Sequence, residues 1–184
     1  MRRQVQLVLL CEDQQQEAFL RRFFTSIGWK ARQLRVKRSP LGKGSAEQFV
    51  REQFPKEIEA YRRNRNRVSC ELIAMLDGDA DGVDARLTAL DKACNQASVP
   101  PRDNTDRVAV FVPTWNIETW VAYLNGETVD EEKKNYPRLR RERDCRSQVD
   151  SLVEMCREGR LREPSPPSLR SACQEYRTRI SRPA

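Results

Sequence analysis

Asp77, Asp79 and Asp81 place three carboxylates within five residues, directly after the apolar run Leu-Ile-Ala-Met-Leu at 72–76. At neutral pH this spacing is repulsive unless a cation, a proton or open water relieves it. The apolar run is short enough for a buried strand, and a strand sends residues two apart to one face. A strand continued past Leu76 therefore aims Asp77 and Asp79 the same way. Carboxylate oxygens at the end of a strand are hard ligands suited to Mg²⁺ or Mn²⁺. Glu12 and Asp13 follow a second apolar run, over 5–11, and add acids of the same kind.

The elements around these acids read as alternating strands and helices. The run 5–11 is a first strand, apolar enough to lie inside a sheet. Phe19, Leu20, Phe23, Phe24 and Ile27 form one face of a helix over 14–27, stopped by Gly28. A partly alternating strand follows over 31–36, then a turn-rich loop to Ser45. Ser45 and Gln48 form a capping box for a second helix, with Phe49, Val50, Ile58 and Tyr61 on its apolar face and a break expected at Pro55. After the aspartates, Val83, Leu87, Leu90 and Cys94 mark a third helix, and residues 108–112 a fourth strand. Pro113 ends that strand, and 114–120 opens a fourth helix with Ile117, Trp120, Val121 and Leu124 as its buried stripe. Glu118 lies off that stripe, in the first turn, where it offsets the helix dipole.

This alternation predicts an α/β fold: a mostly parallel four-stranded sheet flanked by helices, with residues 1–125 as the core. Residues 126–184 read as a basic linker and two short helices, each with a single apolar stripe that must dock on the core. Sites in such sheets gather outside the carboxyl ends of the strands. If strands one, three and four are neighbours, Glu12, Asp77, Asp79 and Glu118 converge.

The 184 residues are enough for one domain with a proper core. With 34 Lys and Arg against 27 Asp and Glu the net charge is +7, which favours a polyanionic partner, most simply nucleic acid. The run 62–67, with Arg62, Arg63 and Arg65, is either a solvated turn or a patch for a phosphate backbone. Gly42-Lys43-Gly44-Ser45 lacks the spacing of an ATP-binding phosphate loop, but its amides and Lys43 stand at a helix start that could meet a phosphate. The absence of histidine removes Ser-His-Asp triads, His-based zinc sites and imidazole bases, so any base is a carboxylate, a lysine or water on a metal. The six cysteines contain no Cys-x-x-Cys pair and read as reduced core thiols of a cytoplasmic protein. The first apolar run is too short for a signal peptide, and no stretch could span a membrane.

A glutamate after the first strand, then Asp-x-Asp after a later apolar strand, resembles the Toprim domain of topoisomerases, primases and the nucleases of the overcoming-lysogenization-defect class. The resemblance covers roughly residues 4–124: Glu12 matches the motif glutamate and Asp77 and Asp79 the paired aspartates, while Asp81 is an extra acid. Cys-Glu-Asp stands where many members have Glu-Gly, and Ile-Glu-Thr-Trp, containing Glu118, is similar to a segment of small Toprim-like proteins of bacterial defence loci. The resemblance implies Mg²⁺- or Mn²⁺-assisted phosphodiester cleavage of DNA or RNA. Glu12, Asp77, Asp79 and Asp81 would hold metal, and Lys43 or an arginine would stabilise transition-state charge. It also implies an anti-phage effector with an ATPase or sensor partner.

Three other readings compete. The chain could be a nucleic-acid-binding or scaffold subunit that kept the fold without catalysis. The stretch 8–13 also resembles a phosphoacceptor receiver domain, with Asp77 as acceptor and Thr114 as the hydroxyl after strand four, but no fifth strand with a terminal lysine follows. Asp77, Asp79, Asp81 and Gly82 match the first half of a calcium loop, which fails at Thr88, where a bidentate glutamate is needed.

Overall fold

The structure, a computed structural model, describes residues 6–42, 44–66, 69–133 and 136–180. Four strands, β1 (Gln6–Cys11), β2 (Leu34–Arg38), β3 (Cys70–Met75) and β4 (Val108–Phe111), form an all-parallel sheet in the order β2-β1-β3-β4. The helices among the described residues are α1 (Gln14–Ser26), α2 (Ala46–Asn64), α3 (Gly82–Gln96), α4 (Ile117–Leu124), α5 (Arg146–Glu158) and α6 (Pro167–Arg179). None of them is long and apolar enough to cross a membrane.

Strand alternation divides the core into two layers. Leu7, Leu9, Cys11, Ile73, Met75, Ala109 and Phe111 point to one face, where α1, α4, α5 and α6 cover them. Val8, Leu10, Leu72, Ala74, Val108 and Val110 point to the other, against Val50, Phe54, Ile58 and Tyr61 of α2 and Leu90 and Cys94 of α3. Burial on both faces explains why β1 and β3 read as nearly continuous apolar runs rather than alternating ones.

The boundaries differ from the sequence reading in three places. The second strand starts at Leu34, because Ala31–Gln33 forms a 3-10 turn closed by the Gln33 N–H on Lys30 O. Helix α2 runs unbroken through Pro55, since the buried row Val50, Phe54, Ile58 and Tyr61 holds it on the sheet despite the missing N–H. Only half of the capping box at Ser45 forms: Ser45 Oγ accepts the Gln48 N–H at 3.3 Å, while the Gln48 side chain donates to Glu52 at 2.8 Å.

Helices α5 and α6 contribute to the core. Val149, Leu152, Val153, Leu169, Ala172 and Ile180 join the same apolar cluster as Phe19, Phe23 and Trp120. Trp120 Nε1 donates to Ser168 Oγ at 2.7 Å. On the edge strand, the Val110 N–H donates at 3.0 Å to Glu175 of α6, which also pairs with Arg102. A chain ending at Gly126 would leave Phe19, Phe23 and Trp120 exposed. It is expected to lose the cooperative thermal transition that the full chain shows by circular dichroism.

Candidate active site

β1 and β3 pair in parallel with Cys11 opposite Met75, so the residues leaving the two strands emerge side by side. Glu12 Oε1 accepts the Asp77 backbone N–H at 3.1 Å. Gln16, fully buried in the first turn of α1, completes the junction. Its Oε1 accepts the Glu12 N–H at 2.9 Å and its Nε2 donates to Asp77 Oδ1 at 2.9 Å, which fixes the orientation of the amide. Asp13, the N-cap of α1, accepts the Gln16 N–H at 2.8 Å and so sets the start of that helix.

Beyond Leu76 the chain stays against β4: Gly78 N–H donates to Pro113 O at 2.8 Å. A Cβ on Gly78 would stand 3.0 Å from Pro113 O and 3.3 Å from Thr114 Cα, so this close approach needs glycine between Asp77 and Asp79. Asp79 and Trp115 then exchange backbone hydrogen bonds of 3.0 and 3.3 Å. Both are left-handed, with φ of +46° and +61°, a conformation costing on the order of 1 kcal/mol or more for a residue such as tryptophan. The strand therefore does not continue past Leu76, and the expected common direction of Asp77 and Asp79 is replaced by a divergence. Asp77 turns inward to Gln16, and Asp79 turns out to solvent and to Arg86.

Arg86 of α3 is the basic centre of this loop. It reaches Asp79 at 2.6 Å, Glu47 of α2 at 3.6 Å and Asp81 at 3.7 Å, and its Nε donates to the Asp77 carbonyl at 3.0 Å. Glu118 is buried, not off the packed face as the sequence reading had it, because every residue of α4 is covered. Its Oε1 meets Arg138 at 3.2 Å, and Arg138 is otherwise exposed.

Electrostatics link these groups across the chain. Burial, followed by the charges of Glu12 and Asp13, raises the Asp77 pKa to about 8, the hydrogen bond from Gln16 opposing and Glu118 adding to the rise. Burial raises Glu12 to about 7, with the Asp77 N–H opposing and the charges of Asp79 and Asp13 contributing. Glu12, Asp13, Asp77, Asp79 and Glu118 thus share one field at the carboxyl ends of β1, β3 and β4, where parallel sheets collect their sites.

Other expected site residues lie elsewhere. Arg62 pairs with Asp106 at 2.6 Å and donates to Pro100 O and Pro101 O, Arg65 reaches Asp106 at 3.4 Å, and Arg63 pairs with Glu59 at 3.3 Å. They stand at the end of α2 that leads into β3, at the amino ends of the strands, whereas the carboxylates follow the carboxyl ends. Lys43 lies outside the described residues, although the first turn of α2 that follows it reaches the site through Glu47 and Arg86. Gln16, Arg86 and Arg138 were not singled out in the sequence. Gln16 had a readable signal, since Asp13 followed three residues later by a glutamine is a capping pattern. Arg86 and Arg138 had none beyond their charge.

Among the described residues, no group of three or more Asp, Glu, Cys or His side chains is close enough to hold a metal ion as it stands. The donor chemistry nonetheless fits a hard cation. Buried Glu12 and half-buried Asp77 are adjacent carboxyls, both with raised pKa values, and the charge of Glu12 raises Asp77, so a divalent ion would relieve both. Compared with protein-family models, curated proteins and solved structures, the chain matches none.

These raised values make a stability prediction. A carboxyl whose folded pKa exceeds its unfolded value stabilises the fold below about pH 4 and loses that contribution as pH rises through 7 to 8. Asp77→Asn keeps the acceptor for Gln16 and removes the charge. At pH 8.5 it is expected to be more stable than wild type by on the order of 2 kcal/mol, roughly 4–8 °C in Tm, with the gap closing near pH 4. Thermal unfolding across that range checks it.

Proposed function

We propose that the protein is a divalent-cation-dependent nuclease of the Toprim kind, hydrolysing phosphodiester bonds of DNA or RNA at Glu12 and Asp77. The observation that carries this reading is the juxtaposition of buried Glu12 and half-buried Asp77, tied by the Asp77 N–H on Glu12 Oε1, with pKa values raised to about 7 and 8. Perturbed acids at the carboxyl edge of a parallel sheet are the pattern of functional sites rather than of solvated surface. The motif spacing, with a glutamate after β1 and Asp-x-Asp after β3, supports the same reading.

Glu12 and Asp77 would hold Mg²⁺ or Mn²⁺, with Asp79 available on release from Arg86. The bound ion would supply charge neutralisation and Lewis-acid polarisation at the scissile phosphate. The chain's own groups do the rest. A carboxylate titrating near neutral pH is matched to accepting a proton from an attacking water. Gln16 fixes Asp77 through one oxygen. Arg86 and Arg138, each already paired with a site acid, are cations that a phosphate oxygen could engage. The overall charge of +7 favours the polyanion.

One observation favours a second reading. Arg86 neutralises Asp79 and Arg138 neutralises Glu118, so part of the acid set is satisfied within the chain. A subunit that binds nucleic acid without cutting it, or that cuts only when an ATPase or sensor partner displaces these arginines, would be arranged so.

Cleavage of plasmid DNA and of total RNA separates the readings. Wild type with Mg²⁺ or Mn²⁺ is expected to cleave one of them, at a rate that falls at low pH as protons compete with the ion for Glu12 and Asp77. The Asp77→Asn/Asp79→Asn double variant is expected to lose about 10²–10⁴-fold. Equal cleavage by both proteins would overturn the assignment of the site.

A further inference from the structure

A second reactive centre lies away from the sheet edge. Of the six free cysteines, Cys11, Cys94 and Cys145 are buried, while Cys70 on β3, Cys156 on α5 and Cys173 on α6 are half-buried, and Cys156 and Cys173 share a cavity. These two thiols lie near enough for each to shift the other's pKa. Both line a cavity of about 190 Å³, large enough for several water-sized molecules. Its charged lining is Arg160, Glu163, Arg170 and Arg177. Arg177 is anchored at the end of α5 by Gly159 O at 3.2 Å, and Arg170 by Ser165 O at 3.0 Å.

This geometry divides the labour between the sulfurs. The hydrogen bond from Cys173 and then the charge of Arg177 hold the Cys156 pKa below the ordinary thiol value against the effect of burial. The same hydrogen bond and burial push Cys173 up. Cys156 is therefore the thiol that ionises more readily and Cys173 the reserve thiol, set beside cations in a cavity that a small polar molecule can enter.

We propose that Cys156 and Cys173 form a dithiol site for small hydroperoxides, hydrogen peroxide among them. The Cys156 thiolate attacks one peroxide oxygen, the O–O bond breaks, and the other oxygen leaves as hydroxide or alkoxide and takes up a proton. Cys156 becomes a sulfenic acid. The Cys173 sulfur then attacks the Cys156 sulfur and displaces hydroxide, which leaves as water with the Cys173 proton. In sum, two thiols are oxidised to one disulfide, and one hydroperoxide is reduced to water and an alcohol, or to two waters. The bond ties α5 to α6, and it is independent of the carboxylate site.

The test is a non-reducing peptide map of the full chain after one equivalent of hydrogen peroxide and alkylation. Wild type is expected to lose two alkylatable thiols and the mass of two hydrogens, with a cross-link between Cys156 and Cys173. Cys173→Ser is expected to stop at a sulfenic acid that dimedone traps on Cys156, and Cys156→Ser to leave Cys173 unmodified. Retention of all six thiols, a cross-link between other cysteines, or a wild-type sulfenic acid that never becomes a disulfide would overturn the proposal. The wild-type map does not depend on either variant folding.

Discussion

The parallel register of β1 against β3 governs this molecule. With Cys11 opposite Met75, the next residue of each strand lies beside the other, and Glu12 meets Asp77 across 65 residues of sequence. The backbone of one carboxylate residue donates to the side chain of the other, and Gln16 ties the two from behind. Neither acid could be buried this far at acceptable cost without those donors. Both cores contribute to the constraint, since the register is held by apolar residues pointing alternately into one layer and the other.

The same junction sorts the acids into two shells. Inside, Glu12 accepts the Asp77 N–H and Asp77 accepts Gln16, and burial raises the pKa values of both. Outside, Asp79, Asp81 and Glu47 surround one guanidinium, that of Arg86. The division is made by backbone geometry at Gly78, Asp79 and Trp115, where the chain leaves β3 and takes left-handed conformations against the β4 loop. Strain of this kind persists only where the surroundings impose it, here two antiparallel backbone hydrogen bonds and the packing of Gly78 on Pro113.

Much of this was legible in the chain. Apolar runs ending in acids gave β1 and β3, aromatic spacing gave α1, and alternation of strand and helix gave a parallel sheet with Glu12 near Asp77. Long-range partners were not legible. Nothing local marks Arg86 as the residue that claims Asp79, or Arg62 as the partner of buried Asp106 rather than of a phosphate. The strand-like spacing of Asp77 and Asp79 misled, because period two holds only while the backbone stays extended. Pro55 misled in the opposite way, since packing on the sheet outweighed the loss of one helical hydrogen bond. Glu118 was placed off the packed face because its own helix has an apolar stripe, whereas every residue of that helix is covered. Cys156 and Cys173, read as core thiols, line one cavity because α5 packs on α1 and α4 and α6 packs on β4.

The central claim is that Glu12 and Asp77 form one electrostatic unit that a hard divalent cation relieves. Site-resolved NMR titration of ¹³C-labelled carboxyl groups, with and without Mg²⁺, tests it most directly. The account predicts that Glu12 titrates near 7 and Asp77 near 8, and that both midpoints fall when Mg²⁺ is added. Ordinary midpoints of about 4 for both carboxyls, unmoved by the cation, would contradict it.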